Sequence, residues 1–572
     1  MKLIRNCFSV GFALVIIALA AGCTKNTASP RYVLFDWFEY QGQDSVFEVF
    51  SPQNGEYLNP VLPGFYPDPS ICRVENDYYL VNSTFSYFPG IPIFHSRDLV
   101  HWEQLGHVLD RPSQLKLDSL PLSGGVFAPA ISYNKGVFYV INTLVQGGGN
   151  FFVTATDPRG PWSDPVWLPE IDGIDPSFFF DEDGKAYVVN NGPPDGEELY
   201  SGHRAIWIQA FSIDSGKLTG PRKVIVNAGV DISKKPIWIE GPHIFKKNDY
   251  YYLIAAEGGT ATDHSEVVFR SASVWGPYVP ADRNPMLTQR HLDNRRDFSV
   301  TSTGHADFVE IQNGEWWAVF LGCRPYIGDF YNTGRETFML PVKWEEDWPY
   351  ITNMPVLYKA KKPDLPEYKP NQPVLNGNFT WRDDFNDTTL AMPWNFIRTP
   401  REKWFSLNSN PGMLKIDVRP VSIRERQNPS FIGRRQQHAF FTAAVALQPG
   451  TMDTAQTTGL IAFQNEKHYL YIGLEKTIKG FSLVAERSGS DMLNGEPQQL
   501  AVAELPIGQQ SVIYLGIIGR GDIYDLVYAL KQGEWITLAG AVDARNLSTH
   551  TGGGFVGAYL GLYASSAHLT TK

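Results

Sequence analysis

Five times between residues 66 and 319 the chain repeats one local plan: a small residue or proline opens an apolar strand, a polar turn follows, and an aromatic-rich strand returns. The copies run from Tyr66-Pro67-Asp68-Pro69-Ser70-Ile71 to Asp77-Tyr78-Tyr79-Leu80, from Phe127-Ala128-Pro129-Ala130-Ile131 to Val137-Phe138-Tyr139-Val140, and from Ile174-Asp175-Pro176-Ser177-Phe178 to Lys185-Ala186-Tyr187-Val188. Two more run from Glu240-Gly241-Pro242-His243-Ile244 to Asp249-Tyr250-Tyr251-Tyr252-Leu253, and from Gly304-His305-Ala306-Asp307-Phe308 to Glu315-Trp316-Trp317-Ala318-Val319. Each reads as a β-hairpin. Aligned on Pro69, Pro129, Pro176, Pro242 and Ala306, the units lie 60, 47, 66 and 64 residues apart, which is room for about four strands each. A repeat of this kind predicts a five-bladed β-propeller over residues 56–360.

The first strand of a propeller blade lines the central axis, so Asp68, Asp175, Glu240 and His305, at the heads of their strands, should converge at one end of the channel. Glycoside hydrolysis needs one carboxylic acid to protonate the leaving oxygen and a second carboxylate to activate water or attack the sugar. Any one of these acids alone would read as a turn or capping carboxylate. Three in equivalent places of a ring, each in an apolar or aromatic frame, instead suggest a site in which burial and like charge raise the pKa of one of them.

Residues 361–373 are rich in Lys and Pro and read as an interdomain linker. Residues 374–572 alternate strand-like stretches such as Gly459-Leu460-Ile461-Ala462-Phe463 and Tyr469-Leu470-Tyr471-Ile472-Gly473-Leu474 with almost no amphipathic helix, which predicts a β-sandwich. The expected fold class is therefore all-β: a five-bladed β-propeller followed by a C-terminal β-sandwich.

At the other end, Lys2 and Arg5 precede a short apolar run, Phe12 through Ala21, and Ala20-Ala21-Gly22-Cys23 closes it with small residues and a cysteine. Residues 1–22 read as a signal peptide and Cys23 as a lipidation site of lipobox type, a plain secretory signal with a free cysteine being the alternative. Residues 23–55 would then be a tether and N-terminal extension, with no function assigned to the stretch 31–60. The chain is expected to be an exported bacterial lipoprotein of the periplasm or outer membrane, touching the membrane through its anchor only. Removal of the leader and lipidation would leave Cys72 and Cys323 as the remaining thiols. They could form one disulfide, but each lies in an apolar run that reads as a buried free thiol. A net charge of −11 without any dense basic run gives no basis for a nucleic-acid partner.

Several stretches carry a resemblance: Gly64-Phe65-Tyr66-Pro67-Asp68-Pro69-Ser70, Ser83-Thr84-Phe85-Ser86-Tyr87-Phe88-Pro89-Gly90, Ile174-Asp175-Pro176-Ser177-Phe178, Ile239-Glu240-Gly241-Pro242-His243-Ile244, Thr303-Gly304-His305-Ala306-Asp307 and Gly334-Arg335-Glu336-Thr337-Phe338. In that order they resemble glycoside hydrolase family 43, β-propeller β-xylosidases and α-L-arabinofuranosidases, specifically the branch with a C-terminal β-sandwich. The resemblance implies Asp68 as general base, Glu240 as general acid, and Asp175 as the carboxylate that orients the acid and tunes its pKa, in an inverting mechanism. It implies Arg335 as a sugar-binding fork and Phe85 and Phe127 as aromatic walls, with a surface ion pair and ordinary core packing as the respective alternatives. Phe555, in Gly553-Gly554-Phe555, would close the pocket from the sandwich, unless the glycines form a plain hairpin. No cofactor is required for the chemistry. His305 would sit on the axis, either contacting a calcium ion completed by water or serving structure alone. The activity implied is exo-acting release of xylose from the non-reducing ends of β-1,4-xylo-oligosaccharides derived from xylan. The alternatives are α-L-arabinofuranosidase activity on arabinoxylan or arabinan side chains and, in a different class, a non-catalytic sugar-binding propeller.

Overall fold

Two-residue turns set the register of the repeated hairpins. In the computed structural model, which describes residues 31–492 and 495–567, Ser70–Val74 pairs with Asp77–Val81, Ala130–Asn134 with Val137–Val145, and Glu240–Lys247 with Tyr250–Glu257. Lys135 and Gly136, between the second pair, have φ of 47° and 90°, the left-handed conformation that a tight hairpin turn demands.

Outer strands complete five antiparallel sheets in chain order. The first adds Gly90–Ser96 and Glu103–Leu109, and the second Gly149–Ala155 and Val166–Trp167. The third runs Ile174–Phe180, Ala186–Gly192, Ala205–Ser212 and Lys217–Asn227. The fourth adds Ser265–Ser271 and Val279–Pro280, and the fifth runs Thr301–Glu310, Trp316–Cys323, Glu336–Glu345 and Trp348–Tyr350. Innermost strands are neighbours around a ring that closes between the fifth and first sheets. There the Ser70 hydroxyl and the Ile71 N–H both donate to Asp307 Oδ2, at 2.7 and 2.9 Å. A short ladder of Glu56–Leu58 with Lys359–Lys361 ties the two ends of the ring together. This is a five-bladed β-propeller, with layers of apolar side chains such as Leu80, Trp102, Val319 and Met339 packed between blades.

The C-terminal sandwich consists of an eight-stranded and a six-stranded sheet. Its larger sheet corrects the reading of residues 23–55 as tether and extension: Tyr32–Gly42 is a central strand, paired with Leu414–Asp417 on one side and with Phe440–Gln448 on the other. Val33, Phe35, Phe38 and Tyr40 are fully buried in its core. The sandwich is thus built from both ends of the described chain. The segment 361–373, expected as a linker, is laid along the first blade, where the Tyr368 hydroxyl donates to Glu103 Oε2 at 2.8 Å and its N–H to Asp98 Oδ2 at 3.0 Å.

Propeller and sandwich meet over a seam of buried polar and aromatic contacts. Arg324 bridges Asp44 at 2.9 Å and Glu336 at 2.6 Å, all three buried; Arg435 donates to the Phe65 carbonyl at 2.7 Å; and the rings of Tyr87 and Tyr559 stack at 3.8 Å. Because buried charges and donors must be paired, this seam fixes the orientation of one part against the other. Cys72 and Cys323 are both free thiols. Cys23 and the expected signal peptide lie outside the described residues.

Candidate active site

The inner strands change conformation where their acids stand. Asp68, Asp175 and His305 have φ of 51°, 52° and 51°, and Glu240 precedes Gly241 at 57°. In the third, fourth and fifth blades the pairing slips at that point, between Ile174 and Ser177, Glu240 and His243, and Gly304 and Asp307. A bulge releases residues from the ladder and re-aims their side chains. Pro176 and Pro242, which have no N–H to lose, occupy these unpaired positions. Left-handed backbone costs a non-glycine residue roughly 1–2 kcal/mol; here the surrounding blades hold it in place. Gly241 is obligatory for a second reason: a Cβ there would lie 2.8 Å from His305 Nε2.

Asp68, Asp175, Glu240 and His305 line one cavity of about 230 Å³ together with Phe85, Phe127, Arg335 and Phe555. The structure thus brings together all the residues singled out in the propeller and the one in the sandwich. Phe85 lies 5.0 Å from Phe127 and 5.8 Å from Phe555, between ring centroids, and Phe127 meets Phe555 edge-on at 5.8 Å. Phe555 is held by its own N–H, which donates to Ser123 Oγ at 2.9 Å. The loop that carries it is anchored where Gly334 and Gly557 pass so close that a Cβ on Gly334 would sit 2.8 Å from the Gly557 Cα.

The acids have divergent electrostatics. Asp68 receives Arg335 Nη1 at 2.9 Å and Nη2 at 3.5 Å, and the Ser83 hydroxyl at 2.5 Å. Burial alone would raise its pKa, but Arg335, His305 and Ser83 outweigh burial and hold it below the ordinary carboxylate value. Asp175 accepts the Gly241 N–H at 3.1 Å; burial, and then the charge of Asp68, push it up to about 7. Glu240 is raised well above the usual glutamate range by burial and by the charges of Asp175 and Asp68. Burial and neighbouring charge thus move the two carboxyls of this cavity apart, Asp68 toward the ionised form and Glu240 toward the protonated form, the divergence that a base and an acid working on one glycosidic bond require.

His305 is buried, its Nδ1 3.9 Å from Asp68 Oδ1, and burial lowers its pKa to about 4. Among the described residues no three His, Cys, Asp or Glu side chains gather as a metal site. Calcium prefers six to eight oxygen ligands, whereas this position offers one imidazole beside a carboxylate already engaged by Arg335 and Ser83. Side chains alone do not build a calcium cage here.

Sequence reasoning did not single out Trp238, Thr260 or Ile174 as lining residues, nor Ser83 as a partner of Asp68. Ser83 stands two residues before Phe85 in a stretch noted for its resemblance, which was a usable signal. Thr260 follows two glycines in an irregular loop and carries none. Behind the axis, buried Glu266 accepts the Ala306 N–H at 2.9 Å and so supports the bulge that presents His305.

Residues 57–349 match the family model described as glycosyl hydrolases family 43, and residues 382–572 match the beta xylosidase C-terminal concanavalin A-like domain. A xylosidase/arabinosidase of Butyrivibrio fibrisolvens is 40% identical over 89% of this chain and 95% of its own length. A non-reducing end alpha-L-arabinofuranosidase of Bacteroides ovatus is 37% identical over 89% and 91%, respectively. The crystal structure of a family 43 protein retrieved from a capybara gut metagenome superposes with a TM-score of 0.87 at 42% identity, covering 94% of this chain and all of the other.

Proposed function

Since the chain belongs to glycosyl hydrolase family 43, and is thereby a glycosidase, we propose that it is an exo-acting, inverting β-xylosidase that releases xylose from the non-reducing ends of β-1,4-xylo-oligosaccharides. The observation that carries this reading is the gathering of Asp68, Asp175 and Glu240 in one cavity walled by Phe555, where burial and neighbouring charge displace Asp68 downward and Glu240 upward. Glu240 gives its proton to the glycosidic oxygen as the bond to the anomeric carbon breaks. A water molecule attacks that carbon from the opposite face and passes its proton to Asp68. Burial keeps the Glu240 pKa high, and Asp175, held by the Gly241 N–H, adds to that through its charge when it is ionised. Each turnover leaves Asp68 protonated and Glu240 ionised, and exchange with solvent resets both. Phe555, reaching in from the sandwich, supports the exo assignment, because a cavity of about 230 Å³ walled on that side suits a chain end rather than a through-running polymer.

A second reading is α-L-arabinofuranosidase activity, favoured by the name of the Bacteroides ovatus relative. The discriminating experiment is hydrolysis of 4-nitrophenyl β-D-xylopyranoside and 4-nitrophenyl α-L-arabinofuranoside by the purified mature protein, with Glu240→Ala and Asp68→Ala alongside and the anomer of the first-formed sugar followed by NMR. Xyloside cleavage with inversion, lost in both variants, supports the proposal. Arabinofuranoside dominance would change the substrate, retention would refute the mechanism, and inertness toward both donors and toward xylo-oligosaccharides would move the assignment to a sugar-binding propeller.

The lipobox-like Ala20-Ala21-Gly22-Cys23 supports an exported, lipid-anchored enzyme. Among the described residues no helix is long and apolar enough to cross a membrane. Palmitate labelling of the wild type and of Cys23→Ala tests the anchor: label in the wild type alone supports it, and equal label in both refutes it.

A further inference from the structure

The aromatic strands of the first three blades share an ending: Tyr79-Leu80-Val81-Asn82, Tyr139-Val140-Ile141-Asn142 and Tyr187-Val188-Val189-Asn190. Asparagine is disfavoured in strands, yet all three of these are buried. Each gives its side-chain amide to a backbone carbonyl at the head of its own blade. Asn82 Nδ2 donates to the Tyr66 and Pro67 carbonyls at 3.1 and 3.0 Å, Asn142 Nδ2 to that of Phe127 at 2.6 Å, and Asn190 Nδ2 to that of Asp172 at 3.1 Å. These carbonyls lie outside the ladders of the inner hairpins, and a buried carbonyl left without a donor costs roughly 1–3 kcal/mol. In the first blade Thr337, two residues beyond Arg335, joins the bracket: its hydroxyl donates to the Tyr66 carbonyl at 2.7 Å and accepts Asn82 Nδ2 at 3.0 Å.

One residue further on, the repeat reaches the acids more directly. Ser83 gives its hydroxyl to Asp68 itself. At the equivalent place in the third blade, buried Asn191 crosses to the fourth blade, where its Nδ2 donates to the Ile239 carbonyl at 2.5 Å. Asn191 is also the strand partner of Ile174, the residue before Asp175. A single side chain therefore ties the strand carrying Asp175 to the backbone that enters Glu240. The Ile239 carbonyl and the Glu240 N–H belong to one planar peptide unit, as do the Pro67 carbonyl and the Asp68 N–H. Holding each carbonyl fixes the plane from which the acid or the base departs. Both chains need such a hold, because the backbone is left-handed there, with φ of 51° at Asp68 and 51° and 57° at Trp238 and Gly241, on either side of Glu240.

Resting on the glycosidase reading above, we propose that Asn82 and Asn191 are positioning residues for the reaction, Asn82 aiming the base Asp68 and Asn191 aiming the acid Glu240. Neither side chain belongs to the wall of the catalytic cavity, so each acts through the peptide plane it holds. The two brackets are separate in the structure, one within the first blade and one between the third and fourth. Their effects are therefore separable in the chemistry. Loss of Asn191 disturbs proton delivery to the leaving oxygen, whereas loss of Asn82 disturbs activation of the water. A displacement of about 1 Å in a catalytic group costs on the order of 100-fold in rate.

The test compares kcat on two donors: xylobiose, whose leaving alkoxide needs the proton of the acid, and 4-nitrophenyl β-D-xylopyranoside, whose phenolate departs largely without it. In Asn191→Ala, kcat on xylobiose should fall about 100-fold and on the aryl xyloside by less than about fivefold, with KM within about threefold of wild type. In Asn82→Ala, kcat should fall about 100-fold on both donors alike. Asn142→Ala is the control, since Ala128 stands where the first blade has Asp68; its Tm should fall comparably while the ratio of the two kcat values stays within about twofold of wild type. Asn191→Ser and Asn82→Ser, which keep a shorter donor, carry the same comparison at smaller amplitude if an alanine variant does not fold. Equal losses on both donors in the Asn191 variants, kcat within about twofold of wild type in either set, or an Asn142→Ala ratio shifted as far as that of Asn191→Ala would overturn the positioning roles alone. A wild type inert on both donors would overturn the β-xylosidase reading and this one with it.

Discussion

Arg335 holds Asp68 from two sides, its Nη1 at 2.9 Å from Oδ1 and its Nη2 at 3.5 Å from Oδ2, and the pair is almost wholly buried. An isolated carboxylate in that position would be neutralised by its own burial. The guanidinium keeps it ionised, so the strand opening the first blade can present a base while the fourth blade presents an acid. One residue of the fifth blade thus sets the charge of the first.

This pairing gives the pH dependence of kcat/KM a definite shape. Activity needs Asp68 ionised and Glu240 protonated, so the profile should be bell-shaped. Its acid limb falls below the ordinary aspartate value of 3.8 and its alkaline limb well above the ordinary glutamate value of 4.5. Asp175→Asn removes a negative charge that raises Glu240, and the alkaline limb should move to lower pH while the acid limb stays close to its place. Rates measured from pH 3 to 10 on xylobiose check both limbs; an alkaline limb that does not move would separate Asp175 from the tuning of the acid.

Phe555 reaches the cavity from the other domain, half-buried against Phe85 and Phe127. Aromatic pairs of this kind contribute about 0.5–1.5 kcal/mol each beyond their area. Phe555→Ala should therefore lower kcat/KM by about tenfold, mainly through KM, since the wall touches substrate and transition state alike. Calorimetry should find Tm within about 3 °C of wild type, because the side chain is not part of a closed core. A large fall in Tm with KM unchanged would assign Phe555 to structure.

Burial of the first described strand makes the N-terminal segment a stability element. Phe38 is 0% exposed, packed edge-on against Trp394 at 5.0 Å. Removing its ring should cost about 3–5 kcal/mol, whereas Gln41→Ala on the exposed side of the same strand should stay within about 0.5 kcal/mol. Thermal melts of both variants, read on the sandwich by tryptophan fluorescence, test whether Tyr32–Gly42 is integral to that domain.

Legibility in the sequence followed the range of the interactions involved. The blades were readable because each hairpin is local, with Val74 opposite Asp77 and Asn134 opposite Val137, and because the pattern recurs. The acids were readable because they occupy one repeated position. Tyr32–Gly42 was not, since its partners Leu414–Asp417 and Phe440–Gln448 lie almost four hundred residues away and nothing local names them. For the same reason Thr260 stayed hidden: it sits in an irregular loop, and only the closure of the ring places it in the wall of the cavity that holds Glu240.

Glu266 offers a test of the axis that does not involve turnover. It is fully buried, one oxygen accepts the Ala306 N–H, and the other has no hydrogen-bond partner among the described residues. Burial raises its pKa well above the ordinary value of 4.5, so between those two pH values the folded chain holds a proton that the unfolded chain has released. Stability must then fall as pH rises across that window, by up to about 1.4 kcal/mol per pH unit from this group. Glu266→Gln keeps the shape and the acceptor but has no proton to lose. Its Tm should match wild type near pH 4 and exceed it increasingly toward pH 8, with the gap widening until the native carboxyl itself ionises. Parallel melts of both proteins across that range check the sign; a variant less stable at every pH would mean that Glu266 is ionised in the fold and that the carboxylate, rather than the acid, supports the strand carrying His305.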